Sequence, residues 1–197
     1  MNQFPFRALV FDMDGTLTRP TLDFSAMRKE IGIAGGDLAH EIERLPPADN
    51  RKAWAVIERH EEEALARMEL QEGGQEFVAQ CRQQEIKLGI VTRNKRRSVD
   101  HLCQKYALTF DAVITREFPH LKPHPAPILR VLEIVRVEPC DALMIGDYLH
   151  DIEAGRAAGT KTCFFQNPGS PDYGAGADFR VSSMAELSRI VLGGRTS

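Results

Sequence analysis

Short apolar runs recur along the chain, each stopping at a polar residue or a turn: Ala8 to Phe11, Leu88 to Val91, Ala112 to Ile114, Ala142 to Ile145 and Lys161 to Phe165. Runs this short that stay apolar throughout, rather than alternating, read as strands buried on both faces. Between them, apolar residues return at helical spacing: Phe77, Cys81 and Gln84 or Glu85; Val99, Leu102, Cys103 and Tyr106; Ile128, Leu129, Leu132 and Val135. Strand and helix therefore alternate, which predicts βαβ units and an α/β fold with a parallel sheet covered by helices on both faces. A weaker strand at Phe179 to Val181 and a helix at Ser183 to Leu192 close the domain.

The stretch from Thr18 to Glu72 breaks this rhythm, because it reads as helices alone. Leu22, Phe24, Met27 and Ile31 predict one helix, and Leu38, Ile42 and Leu45 a second before Pro46-Pro47. Trp54, Ile57, Ala64, Leu65 and Met68 predict a longer third. Gly73-Gly74 marks the return to the sheet. The expected organisation is a sheet domain of residues 1–17 and 73–197, carrying a small all-helical insertion over 18–72 after its first strand. The run Glu61-Glu62-Glu63 is expected to be a solvated helix face.

A length of 197 residues suffices to bury a core, and 43% apolar with 27% charged residues is ordinary for a globular protein. The net charge of -3, with interspersed signs, argues against a partner bound through a nucleic-acid backbone, while leaving small anions open. The start, Met1 to Arg7, lacks a basic segment followed by a long apolar one, and no apolar run approaches the ~20 residues of a membrane span, so a cytoplasmic location is expected. Cys81, Cys103, Cys140 and Cys163 form no close pair and read as reduced, largely buried thiols.

The candidate chemistry sits where the strands stop. Asp12 and Asp14 follow the first run one residue apart, so in extended chain they point to one side at roughly 7 Å. Gly15 then permits a turn, and a plain Asp-Gly turn is the competing reading. A calcium loop does not fit, because its glycine would fall at Leu17. Thr92 follows the second predicted strand, and Gly146-Asp147 the fourth, with Asp151 four residues on. In a doubly wound sheet the carboxyl ends of the strands lie together, so these groups are expected to converge. Carboxylates gathered at one point repel one another unless a cation joins them, and hard oxygen ligands suit magnesium. Lys122, ahead of Pro123 and a predicted helix from about Ala126, supplies a further positive charge.

Four segments together resemble the haloacid dehalogenase superfamily, in its phosphatase branch: Asp12-Met13-Asp14-Gly15-Thr16-Leu17-Thr18, Ile90-Val91-Thr92-Arg93-Asn94, Lys122-Pro123-His124-Pro125 and Gly146-Asp147-Tyr148-Leu149-His150-Asp151. The resemblance covers nearly the whole chain. It implies a Rossmann-like core, with the helical insertion as a C1-type cap, and an enzyme similar to phosphoglycolate phosphatases. It implies that Asp12 attacks phosphorus to form an aspartyl-phosphate, and that Asp14 protonates the leaving oxygen and then activates water. Thr92, with nearby backbone N–H groups, Arg93, Asn94 and Lys122, would hold the phosphoryl oxygens. The implied Mg2+ ligands are the Asp12 carboxylate, the Asp14 main-chain carbonyl and the Asp147 carboxylate, with Asp151 orienting metal-bound water or Lys122.

The expected substrate is a small phosphorylated metabolite. Substrate choice would lie in the cap, where Arg19, Arg28, Lys29, Arg51 and Lys52 stand as candidate anion contacts against the alternative of solvated helix charges. The cluster Arg93, Lys95, Arg96 and Arg97 opens a predicted helix, where cations are mildly unfavourable, and reads equally as anion attraction or solvent exposure. His124 and His150 receive no role. A phosphosugar mutase and a non-catalytic phosphate-ligand-binding protein on the same fold are the alternatives. Dehalogenation is disfavoured, because it needs neither a proton donor at Asp14 nor a metal.

Overall fold

The computed structural model describes residues 5–21, 23–36 and 38–193. Two compact units divide the chain: Met1–Pro20 with Glu69–Ser197, and Thr21–Met68.

The first unit is a six-stranded, wholly parallel sheet. Its strands are β1 (Ala8–Phe11), β2 (Lys87–Val91), β3 (Ala112–Ile114), β4 (Ala142–Gly146), β5 (Lys161–Phe165) and β6 (Phe179–Val181), in the order β3-β2-β1-β4-β5-β6. This is an α/β Rossmann-like arrangement, and all six predicted strands are present. β1 lies at the centre, paired with β2 through Phe11↔Ile90 and with β4 through Phe11↔Ile145. Its four residues are all buried, as a strand covered on both faces requires. Among the described residues, five α-helices belong to this unit: α4 (Gly74–Gln83), α5 (Arg96–Tyr106), α6 (Ala126–Val135), α7 (Leu149–Ala158) and α8 (Met184–Leu192). Ala8, Val10, Ala142 and Met144 of the sheet pack with Ile128, Val131 and Leu132 of α6 and Ala154 and Ala158 of α7. On the other face Phe11 meets Phe77 of α4 edge to face, 6.3 Å between ring centroids. Gln84 and Glu85, expected inside α4, lie beyond it: Gln84 caps the helix, and Glu85 turns the chain at φ 57 towards β2.

The second unit holds α1 (Phe24–Ile31), α2 (Leu38–Glu43) and α3 (Pro47–Arg67). Asp23 caps α1 by accepting the Ala26 N–H at 2.9 Å, and Gly32 ends it at φ 83. Met27, Leu38, Ile42, Ala53 and Ile57 form the unit's core, with Ile31, Leu45 and Trp54 packed against it. Phe24 is exposed, so it is not the core anchor its spacing predicted, and Leu22 lies outside the described residues. Glu61 is buried, unlike Glu62 and Glu63, because α3 carries it on the face of Ile57 and Ala64. The solvated-face expectation therefore fails at its first residue. Cys81 and Cys163 are buried, which pushes both thiols up to about 12, but Cys140 is exposed and Cys103 half-buried; all four are free.

The expected insertion over 18–72 is longer at both ends than the compact helical unit. The reason is local pairing: the Arg19 N–H donates to the Glu69 carbonyl at 2.8 Å and the Gln71 N–H to the Leu17 carbonyl at 2.9 Å, with an antiparallel bridge between Thr18 and Leu70. These residues form a short ribbon belonging to the sheet unit. No described helix is long and apolar enough to cross a membrane.

Candidate active site

The strand order reverses between β1 and β4, the position at which doubly wound sheets open a crevice outside their carboxyl ends. Asp12 is the first residue past β1, tied to β4 by its N–H donating to the Ile145 carbonyl at 2.8 Å. Asp147 is the first residue past β4, and Asp151 lies in the first turn of α7. One carboxylate oxygen from each of Asp12, Asp147 and Asp151 lies within 4.8 Å of the others. The three acids thus converge as their strand-end positions predicted.

Lys122 reaches the cluster from the loop between β3 and α6 and is buried. Its Nζ lies 2.5 Å from Asp12 Oδ1 and 2.6 Å from Asp151 Oδ1. Asp151 also accepts the Tyr148 N–H at 3.0 Å, which fixes its carboxyl at the helix start. Burial raises the pKa of Asp12 to about 7; Lys122 works against that rise, and Asp151 and Asp14 add to it. Asp147 is pushed up to about 8 by burial and by the charges of Asp12, Asp151 and Asp14. Burial disfavours the Lys122 ammonium, yet Asp12 and Asp151 outweigh it and hold its pKa above the ordinary lysine value. Fully ionised, the three carboxyls would carry more negative charge than Lys122 balances, which, on top of burial, is why Asp12 and Asp147 hold their protons so tightly, and the donors are all hard carboxylate oxygens. A divalent cation of the magnesium type fits both facts.

Asp14 does not join the close carboxylate group. Its Oδ1 accepts the Thr18 hydroxyl at 3.4 Å, and that hydroxyl also donates to the Met13 carbonyl at 3.1 Å. Asp14 nonetheless raises the pKa of both Asp12 and Asp147, so its charge is felt across the site. Gly15 stands at φ +83, and a Cβ there would lie 2.0 Å from Asp147 Oδ2. Only glycine permits both that turn and the approach of Asp147 to the backbone.

Thr92 is buried at the end of β2, where its N–H donates to the Ile114 carbonyl at 3.0 Å and its Oγ1 accepts the Asn94 N–H at 3.1 Å. Its own hydroxyl hydrogen remains a donor for a ligand oxygen. The side chain of Arg93 lies 3.3 Å from His150 Nδ1, a pairing that the sequence did not foretell. Two further residues had no expected role. Asn167 is buried just past β5 and donates to the Gly15 carbonyl at 2.7 Å and to Asp147 Oδ2 at 3.2 Å; its Oδ1 accepts from Gln71 at 2.9 Å. Asn167 lies two residues past β5, behind Gln166, so looking for the first polar residue after a buried apolar run stops one residue short of it.

A family model described as haloacid dehalogenase-like hydrolase matches residues 24–165. The chain belongs to this family. It is an enzyme of the hydrolase class, and its relatives include phosphatases. A haloacid dehalogenase-like hydrolase domain-containing protein of Arabidopsis thaliana is 31% identical, over 94% of this chain and 83% of its own length. An N-acetylmuramic acid 6-phosphate phosphatase of Pseudomonas putida is 29% identical, over 94% of this chain and 96% of its own. In fold, the chain is similar to the crystal structure of a predicted phosphoglycolate phosphatase from Haemophilus somnus, with a TM-score of 0.75 and 20% identity over 95% of this chain and 99% of that one.

Proposed function

We propose that this haloacid dehalogenase-like hydrolase is a magnesium-dependent phosphatase of small phosphomonoesters that works through a phosphorylated Asp12. The observation that carries the reading is the convergence of Asp12, Asp147 and Asp151 around the buried ammonium of Lys122. A carboxylate nucleophile and a phosphate ester repel each other, so the site must supply positive charge and in-line alignment. A bound magnesium ion supplies charge neutralisation at the phosphoryl oxygens; the Asp12 carboxylate, the Asp14 main-chain carbonyl and the Asp147 carboxylate would hold it. Asp151 orients Lys122, in keeping with their 2.6 Å contact.

In the first step an Asp12 oxygen bonds to phosphorus as the ester P–O bond breaks, and the leaving oxygen takes the proton of the Asp14 carboxyl. In the second, Asp14 takes a proton from water as the water oxygen attacks phosphorus. The Asp12–phosphorus bond breaks, releasing phosphate and leaving Asp14 protonated for the next turnover. Thr92 donates its hydroxyl to a phosphoryl oxygen, and Arg93, Asn94 and Lys122 complete the phosphate cradle. The helical unit over Thr21–Met68 serves as a C1-type cap that selects the leaving group. The Pseudomonas relative supports a phosphorylated sugar as one substrate class. A cytoplasmic location belongs to the same reading.

Phosphate release from an aryl phosphate tests the chemistry. Activity should require magnesium, vanish with a chelator and vanish in Asp12→Asn; activity retained in either case refutes the mechanism. Asp14→Asn should fall about 10²- to 10⁴-fold while still binding magnesium, and a near-normal rate would refute its proton transfer.

A further inference from the structure

Asn167 is oriented by its surroundings. Its Nδ2 carries two N–H groups and faces two acceptors, the Gly15 carbonyl at 2.7 Å and Asp147 Oδ2 at 3.2 Å. Its Oδ1 faces a donor, Gln71 Nε2 at 2.9 Å. Turning the amide over would set oxygen against oxygen at both acceptors, so the arrangement has one orientation. The residue is 3% exposed, and losing either set of partners would leave a buried polar group unsatisfied. Asn167 therefore holds Asp147 Oδ2, the same oxygen that Gly15 lies against.

Gln71 belongs to the ribbon through which the chain leaves and re-enters the sheet unit. Its own N–H donates to the Leu17 carbonyl at 2.9 Å, and its Nε2 lies 3.5 Å from the carbonyls of Gly15 and Thr18. A continuous hydrogen-bonded path thus runs from the ribbon through Gln71 and Asn167 to Asp147. Any shift of the ribbon that moves the Gln71 side chain alters what holds the carboxylate.

We propose that Asn167 is a positioning residue for the Asp147 carboxylate and that, through Gln71, it couples divalent-cation binding at the carboxylate cluster to pairing of the ribbon that carries the helical unit. The inference rests on the metal-binding part of the proposed function. Coupling of this kind is reciprocal: a cation that fixes Asp147 also fixes the ribbon, and a loosened ribbon weakens the cation site.

The probe is magnesium alone, added to the full-length protein. Calorimetry gives its affinity, and NMR hydrogen exchange follows the backbone amides of Arg19 and Gln71, both donors in the ribbon. In the wild type, magnesium should slow exchange at both amides. Asn167→Leu, which keeps the volume but donates nothing, should weaken magnesium binding about 10-fold or more and remove the slowing. Gln71→Leu should remove the slowing with less effect on affinity, and it keeps the test decisive should Asn167→Leu fail to fold. A merely structural role would speed exchange in both variants yet leave affinity and the magnesium response intact. Wild-type affinity in Asn167→Leu, or slowing that persists in Gln71→Leu, overturns the coupling alone. A wild type that binds no magnesium overturns the proposed function, and the coupling with it.

Discussion

Replacing Gly15 by alanine should abolish the response of the protein to magnesium while leaving most of the fold in place. The residue stands at φ +83, where an L side chain costs about 1–2 kcal/mol. The added Cβ would lie 2.0 Å from Asp147 Oδ2 and 2.6 Å from its Cγ, so the carboxylate must swing away. That movement gives up the 3.2 Å bond from Asn167, worth about 1 kcal/mol, for a total near ~2–3 kcal/mol. In the metal-free protein some of this is offset, because Asp147 also leaves the repelling charges of Asp12 and Asp151. The decisive readout is therefore the gain on adding magnesium. At about 100 times the wild-type Kd, binding should stabilise the wild type by about 2.7 kcal/mol, whereas a variant whose affinity has fallen about 100-fold gains only about 0.4 kcal/mol. Urea denaturation followed by circular dichroism, with and without magnesium, measures both. An equal magnesium-dependent shift of the midpoint in Gly15→Ala would refute the assignment of Asp147 to the cation site.

The raised carboxylates set a pH dependence. Asp12 and Asp147 keep their protons in the fold up to about 7 and about 8, against 3.8 when unfolded, so their contribution is fully present below the unfolded value and is lost as pH rises through the folded ones. In chelator, the urea midpoint should fall from about pH 5 to about pH 8, and magnesium should flatten the fall; a midpoint that climbs over this window contradicts the burial of these charges. Away from the site, Gly89→Ala should cost about 1–3 kcal/mol, because its Cβ would lie 2.3 Å from Val131 Cγ1 where β2 packs on α6. Val131→Ala in the same chain should recover part of that loss, and strict additivity in the double-mutant cycle would show that the two do not meet.

The sheet was legible in the sequence because a parallel strand buried on both faces leaves an uninterrupted apolar run, and each such run was found within a residue of its ends. The site followed from the same signal, since Asp12, Thr92 and Asp147 are the first polar residues after three of those runs. Asn167 and Gln71 escaped notice for a physical reason. Each acts through a side-chain amide in a loop or linker, where periodicity is silent and solvation is the usual fate of such residues. Glu61 misled in the opposite way: neighbours of like charge marked a polar face, while helical geometry assigned its side chain to the face of Ile57 and Ala64. The limits of the helical unit were misjudged because two backbone hydrogen bonds between Leu17–Arg19 and Glu69–Gln71 leave no trace in hydrophobic pattern.

That ribbon also bears on how such a chain can change over evolutionary time. The antiparallel bridge between Thr18 and Leu70 brings the two ends of the inserted segment side by side, so the sheet unit sees the insert as a loop that begins and ends at one place. The entropy of closing such a loop grows only slowly with its length, roughly 0.6 kcal/mol for each doubling. Helices between residues 21 and 68 can lengthen, shorten or be exchanged at little cost to the folding of the strands that bear Asp12 and Asp147. On the proposed role of those helices as a cap, substrate choice can change in descendants of this chain while the strand ends that carry the chemistry stay as they are.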